Sequence, residues 1–167
     1  MHATINSYGF GYGRTLGWLG HYTNVGFVLP YVHGDVNGLY LGQYEAVHPT
    51  GFGDPQVRLA VNLHGAPAMT PREFAAYRPQ TIVGVSLIVV APLGDYHSDK
   101  LINIGSNRWS FKPELGYSRS NGSRTLEADA GAWLFTDNTN FVRGKVRSQE
   151  PIGALQLHAI YTVKPQL

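Results

Sequence analysis

Trp109-Ser110-Phe111-Lys112-Pro113-Glu114-Leu115-Gly116-Tyr117-Ser118 decides how this chain is read. Trp109, Phe111, Leu115 and Tyr117 form one row, and Ser110, Lys112, Glu114 and Ser118 form the other. Alternation with period two describes a strand with one apolar face. Three further segments repeat the pattern. Val57, Leu59, Val61 and Leu63 interleave with Gln56, Arg58, Asn62 and His64. Leu126, Ala128, Ala130 and Ala132 interleave with Thr125, Glu127 and Asp129, and Leu155, Leu157, Ala159 and Tyr161 with Gln156, His158 and Thr162. A soluble sandwich turns its apolar rows inward, whereas a membrane barrel turns them out to lipid around a wet interior. Alternation alone does not separate the two.

The rest of the chain narrows the choice. Its 167 residues suffice for one domain, with a core or a small barrel. Charged residues make up 14%, the net charge is +2 and no basic run occurs, so nucleic acid is not an expected partner. Twenty glycines, ten tyrosines and seven phenylalanines describe a β-rich chain with many turns. A mean hydropathy of −0.15 fits a soluble protein and a barrel alike, since half of each barrel strand is polar. The absence of cysteine excludes disulfide scaffolds and thiol-based metal or redox sites, and it fits an oxidising envelope compartment. The longest apolar run, Ile82 to Leu93, is broken by Gly84, Ser86 and Pro92 and is too short to span a membrane as a helix. Met1 to Asn6 has neither the basic nor the apolar part of a signal peptide, so an exported form would have its true start elsewhere.

Strands of the 9–11 residue class of membrane barrels are expected at about eight places. They run over Thr4–Arg14, His21–Val32, Asn37–Ala46, Pro55–His64, Gln80–Ala91, Trp109–Arg119, Thr125–Thr136 and Ile152–Val163. The connections Pro92–Arg108 and Asp137–Pro151 are long; those at His33-Gly34-Asp35-Val36 and at Ser120–Arg124 are tight. Long loops on one rim and short turns on the other are the habit of outer-membrane barrels. Ala66–Arg78 is a longer exception on the tight rim, where Thr70-Pro71-Arg72-Glu73 reads as a capping box that starts a short helix. Pro30 and Pro113 each remove a ladder donor and are expected at bulges or strand ends.

Several runs resemble a known family. Gly51-Phe52-Gly53-Asp54-Pro55 leads straight into a strand. Pro92-Leu93-Gly94-Asp95-Tyr96 is followed by Leu101-Ile102-Asn103-Ile104-Gly105-Ser106-Asn107-Arg108-Trp109, then Phe111-Lys112-Pro113-Glu114-Leu115-Gly116 and the pair Asp137-Asn138. From about Tyr8 to Lys164 the chain resembles the outer-membrane transporter family labelled "Putative MetA-pathway of phenol degradation", with Pro92 to Gly116 the most specific stretch. The resemblance implies a Gram-negative outer-membrane β-barrel that passes small hydrophobic or aromatic compounds. It also implies further strands, so the single barrel domain of residues 1–167 is expected to be truncated at both ends.

The polar rows collect the candidate selectivity residues: Arg58, His64, Lys112 and Glu114, then Glu127, Asp129, Gln156 and His158. A four-residue turn at Ser120–Ser123 would set Glu114 opposite Asp129, with Lys112 or Arg58 as the cation between them. These residues read as a charged constriction, or more plainly as ion pairs that fill a polar interior and fix register. Pro92–Trp109 is the candidate gate, with Tyr96, Asn103, Asn107 and Arg108 as its contacts; the plainer reading is a turn-rich external loop. Trp18, Tyr96, Trp109, Phe111, Trp133, Phe135 and Phe141 are expected near the long-loop rim as an interfacial girdle. Trp133 and Phe135 fall on the polar parity and are candidate contacts for an aromatic solute.

Other chemistry finds no support in the sequence. Seven histidines show neither HxH nor HExxH spacing, and only His64 and His158 share a polar row, so no metal is expected. No GxSxG nucleophile turn occurs, and Gly9-Phe10-Gly11-Tyr12-Gly13 has neither the lysine nor the helix of a phosphate cradle. The expectation is an antiparallel up-and-down transmembrane β-barrel acting as a passive channel. It has no cofactor and no catalysed reaction, and its partners are the lipid bilayer and a small solute. A soluble barrel or sandwich binding a small apolar ligand is the alternative from another class, and a plugged structural barrel is a third.

Overall fold

A computed structural model describes residues 2–40, 43–70, 72–73, 77 and 81–163. Seven strands make one antiparallel wall: β1 (His2–Trp18), β2 (His21–Tyr40), β5 (Gln56–His64), β6 (Thr81–Val90), β7 (Ser110–Asn121), β8 (Arg124–Phe135) and β11 (Ile152–Tyr161), in that spatial order. β3 (Gln43–Val47) and β4 (Thr50–Phe52) both pair with β2, while β9 (Asn138–Phe141) and β10 (Lys145–Arg147) form a separate hairpin. The wall sweeps 211° as a half-barrel.

Two hairpin turns are dictated by their residues. Trp18 pairs with His21 across Leu19 (φ 51°) and Gly20 (φ 78°), the two positive values of a type I′ turn. Asn121 pairs with Arg124 across Gly122-Ser123, with Gly122 at φ 58° in the first central position, as a II′ turn requires.

The expected third strand does not exist as a separate crossing. His33-Gly34-Asp35-Val36 is not a turn: β2 runs through it, paired with β1 on one side and with β3 and β4 on the other. Gly34 N donates to Pro49 O (2.8 Å), and the side chains of His33 with Thr50 (2.8 Å) and Asp35 with His48 (2.6 Å) hold the fold-back. Glycine beside aspartate signals a turn only when nothing pairs with the backbone, and here both edges are paired. β1 and β2 are therefore 17 and 20 residues long, against 9 to 12 for the other five wall strands. Their excess stands beyond the rim where β5 begins. One crossing fewer also moves the β1–β2 turn, with Trp18, to the rim opposite the long loops.

Facing residues in an antiparallel pair point to the same side of the sheet, so the register sorts the two faces. One row crosses all seven strands as Leu16, Thr23, Val61, Val85, Leu115, Ala130 and Leu155. The next row crosses as Thr15, Asn24, Ala60, Ser86, Glu114, Gly131 and Ala154. Side chains of the second kind touch across strands, as the concave side of a curved sheet requires. The apolar side is convex and bare: Leu115 is 54% exposed, Leu126 61%, Leu155 69% and Leu157 71%. On the concave side the Lys112 and Glu114 side chains are only 13% and 16% exposed. Among the described residues, the only buried hydrophobic ones are Val36 and Ala66.

Pro113 is at neither a bulge nor a strand end, whereas Pro30 lies at a register shift: from Val28–Gln56 to Tyr31–Phe52 the facing segment spends four residues against three on β2. Pro30 lies where β2 passes from β5 to β4 and accepts Gly53 N at 2.8 Å. Pro113 lies in a gap of the β7–β8 ladder between Phe111 and Glu114, and register is kept across it. Thr70 and Glu73 form the expected capping box, through Thr70 N to Glu73 Oε2 (2.7 Å), Thr70 Oγ1 to Glu73 Oε2 (2.8 Å) and Glu73 N to Thr70 Oγ1 (3.4 Å). The Thr70 amide and then its hydroxyl hold the Glu73 carboxyl below its ordinary range. Apart from Arg72 and Glu73, the helix expected there lies outside the described residues.

Candidate functional site

The concave face of β7 and β8 gathers most of the expected polar residues. The two-residue turn at Gly122-Ser123 pairs Glu114 with Gly131 and Asp129 with Gly116, so Glu114 does not face Asp129 as a four-residue turn would have set it. The difference has a physical reason. A Cβ at Gly116 would lie 2.8 Å from Asp129 Oδ1, and one at Gly131 would lie 2.9 Å from Glu114 Cγ and 2.5 Å from Pro113 O. Each carboxylate thus lies across a glycine of the neighbouring strand, which keeps two like charges from meeting head on. Lys112 Nζ pairs with Glu114 Oε1 at 2.7 Å, and Ser86 Oγ donates to Glu114 Oε2 at 2.9 Å.

Further along the same face, Gln156 is opposite Asp129 and His158 is opposite Glu127, while Ser118 Oγ donates to Glu127 at 3.4 Å. Arg58 sits on β5 between Gly26 and Ile88, and its side chain has no hydrogen bond or ion pair among the described residues. His64 departs from expectation. A bulge between Asn62 and His64 pairs His64 with Val83, in the convex row of Tyr117, so it leaves the polar face.

Trp133 and Phe135 are on the concave face, as their parity implies: Trp133 is opposite Ile152, and Phe135 is opposite Ser110. Their rings lie near-parallel, 11° apart with centroids 6.4 Å apart. Lys112 Nζ stands 5.5 Å from the Trp133 centroid, and the Arg108 guanidinium 4.4 Å from that of Phe135. The resulting line runs from the rim inward as Arg108, Phe135, Trp133, Lys112, Glu114. Trp109 and Phe111, stacked at 6.2 Å, take the convex face of the same rim. Tyr31 and Phe52 (5.2 Å, edge to face) do the same beside Tyr8, so the girdle divides between the faces and excludes Trp18.

The long loops interlock at one rim. Asn138, 1% exposed, donates to Tyr96 Oη (3.0 Å) and Ser106 O (3.1 Å) and accepts from Asn107 Nδ2 (2.9 Å) and Asn140 N (3.0 Å). Tyr96 Oη in turn donates to Asn140 O at 2.9 Å. Asn103 closes the loop tip by accepting His97 N (2.7 Å) and donating to the carbonyls of His97 (3.0 Å) and Lys100 (2.8 Å). Arg108 Nη2 donates to Gln149 Oε1, while its Nη1 is buried without a partner. Burial first, and Arg147 second, hold its pKa below the ordinary arginine range.

The clasp of this loop escaped sequence reasoning. Asp54 accepts from Gly94 N (2.9 Å), Ser106 N (2.8 Å) and Ser106 Oγ (2.6 Å), and Asp95 accepts from Phe52 N (2.6 Å). Gly53, Gly94 and Gly105 stack beneath these bonds. A Cβ on Gly94 would lie 2.7 Å from Gly53 C, and one on Gly105 would lie 2.8 Å from Gly94 O. The signal lies in Gly51–Pro55 and Pro92–Tyr96, two runs that form the halves of one contact and that no local pattern joins.

A curved antiparallel wall with a bare apolar outside, a charged inside and long loops on one rim defines a β-barrel of the outer-membrane kind. Residues 1–166 match the family "Putative MetA-pathway of phenol degradation", and the chain belongs to that family. Its fold is similar to that of the COG4313 outer membrane channel from Pseudomonas putida F1, with a TM-score of 0.73 at 20% identity. The similarity covers 98% of this chain and 57% of that one, so the chain spans little more than half the channel's length. No curated protein matches the chain.

Proposed function

We propose that this chain forms wall of a passive outer-membrane channel for small hydrophobic or aromatic compounds. The observation that carries the reading is the inverted sorting of its side chains. Leu155 and Leu157 are about 70% exposed while Lys112 and Glu114 are nearly covered, and this suits lipid outside and water inside. A water-soluble sandwich would need a second layer over Leu115, Leu126, Leu155 and Leu157, and nothing packs on them among the described residues. Solute moves down its gradient past the charged row, the loop 92–108 sets access, and the wall performs no chemical step. The family and the channel-like fold support transport; aromatic uptake rests on the family's description and on the rings at the mouth.

Reconstitution into liposomes tests the proposal. The protein is expected to require detergent for solubility and to raise the permeability of the vesicles to small aromatic solutes. A protein that stays monomeric in detergent-free buffer and leaves the vesicles tight would overturn it.

A further inference from the structure

Charge is sorted along the inner wall. Arg108, Lys112 and Arg58 lie toward the long-loop rim, and Glu114, Asp129 and Glu127 follow in successive rows away from it. On β7 and β8 the aromatic rings of this face lie in the rimward, cationic part: Phe135 beside Arg108, and Trp133 beside Lys112. Lys112 is already paired with Glu114, but the two arginines have capacity to spare. Arg58 makes no hydrogen bond or ion pair among the described residues, its charge acting on Glu114 only at a distance, and a Cβ at the neighbouring Gly26 would meet nothing within 4 Å. Arg108 uses Nη2 on Gln149 and keeps Nη1 buried without an acceptor, a cost that an incoming oxygen relieves.

We infer that Arg108, Phe135, Trp133 and Arg58 form a capture subsite for aromatic carboxylates at the long-loop mouth. Ring and charge are recognised by different groups. The arene packs against Trp133 and Phe135, and its carboxylate accepts from an arginine, whose planar fork matches two oxygens better than a point charge does. A neutral arene leaves the arginines unused, and an aliphatic acid leaves the rings uncovered. The acidic rows beyond Lys112 repel the same anion, which confines it to the mouth. This inference deepens the channel reading and rests on it.

Trp133 is its own reporter once Trp18 and Trp109 are replaced by Phe in the detergent-solubilised protein. Benzoate is expected to quench Trp133 saturably and at least tenfold more tightly than acetate or benzyl alcohol. Arg58→Gln, which removes no hydrogen bond or ion pair among the described residues, is expected to weaken benzoate at least fivefold, and Arg108→Gln to do the same or more. Equal quenching by benzyl alcohol would reduce the site to a neutral apolar surface, and equal quenching by acetate to diffuse attraction; either overturns the inference. No saturable quenching in a protein that still conducts in planar bilayers removes the subsite and leaves the channel. Saturable benzoate binding in a protein that does not conduct keeps the subsite and removes the channel.

Discussion

The inner faces of β7–β8 and of β1 belong to one sheet and share almost nothing else. On β7–β8 the inward positions hold Lys112, Glu114, Asp129, Trp133 and Phe135, packed so closely that Gly116 and Gly131 have no room for a Cβ. On β1 they hold Ser7, Gly9, Gly11, Gly13, Thr15 and Gly17, and a Cβ at Gly9 would meet nothing within 4 Å. Glycine is required in the first region and merely permitted at Gly9, Gly11 and Gly13 of the second. Both regions still form strands, because the outward rows are alike: Tyr8, Phe10 and Tyr12 on β1 are about as exposed as Leu115 and Leu126 on β7 and β8. The ladder and the outer row make the wall; the inner row is free to carry charge and rings on one side and to stay bare on the other.

The widest break of this comparison is an outer charge. Leu157→Arg and Leu115→Arg should each cost roughly 2–4 kcal/mol in bilayer refolding, and Tyr12→Arg nearer the interface should cost less. Asn62→Arg and Ser118→Arg on the inner face should cost much less than any of them. Equal penalties on both faces would remove the membrane reading.

Next in size are the inner glycines. Gly131→Ala forces a Cβ to within 2.5 Å of Pro113 O and should cost about 1–3 kcal/mol in urea unfolding. Gly11→Ala, with only Phe27 O at 3.7 Å, should lie within about 0.5 kcal/mol of the parent or stabilise it slightly. Matching costs would mean that the two faces are equally crowded.

Asp54→Ala leaves the amides of Gly94 and Ser106 without their acceptor, at roughly 1–3 kcal/mol for each buried donor, while the Ser106 hydroxyl keeps Arg108 O. Its effect should be confined to the loop, seen as faster trypsin cleavage after Lys100 with little change in unfolding of the wall. Smaller again is the charge effect. Glu114→Gln with Asp129→Asn should shift the reversal potential of a salt gradient toward anions, by roughly threefold in permeability ratio. An unchanged potential in a conducting protein would take these residues out of the pathway and leave them as fixers of register. Last, Leu19→Asn at a positive φ should stabilise the β1–β2 hairpin by about 0.5 kcal/mol, read from thermal unfolding.

The wall strands from β5 onward were legible because each has one apolar row and one polar row, and alternation shows that directly. Seven of the eight expected inner polar residues kept their face for the same reason. His64 did not, because a bulge changes parity without any mark in the residue types. The span from His33 to Val36 was misread because its meaning depends on partners far along the chain: Pro49 and Thr50 hold it extended. The pairing of Glu114 was misread by two residues because turn length fixes register, and Asn121-Gly122-Ser123 suits a two-residue turn as well as a longer one. The Asp54 clasp joins segments 40 residues apart or more, beyond any local pattern.

The stacked Gly53, Gly94 and Gly105 give the mouth a foundation made of main chain. Its bonds run from amides to Asp54 and to carbonyls, and the side chains at the tip, from Tyr96 to Asn103, take no part in those bonds. Between Tyr96, which ties the loop to Asn138 and Asn140, and Asn103, which closes the tip, the side chains can therefore be changed without touching the collar beneath them. In engineering terms the loop is an interchangeable fitting on a fixed seat: side chains at 97–102 can be exchanged while the seat at Asp54 stays as it is.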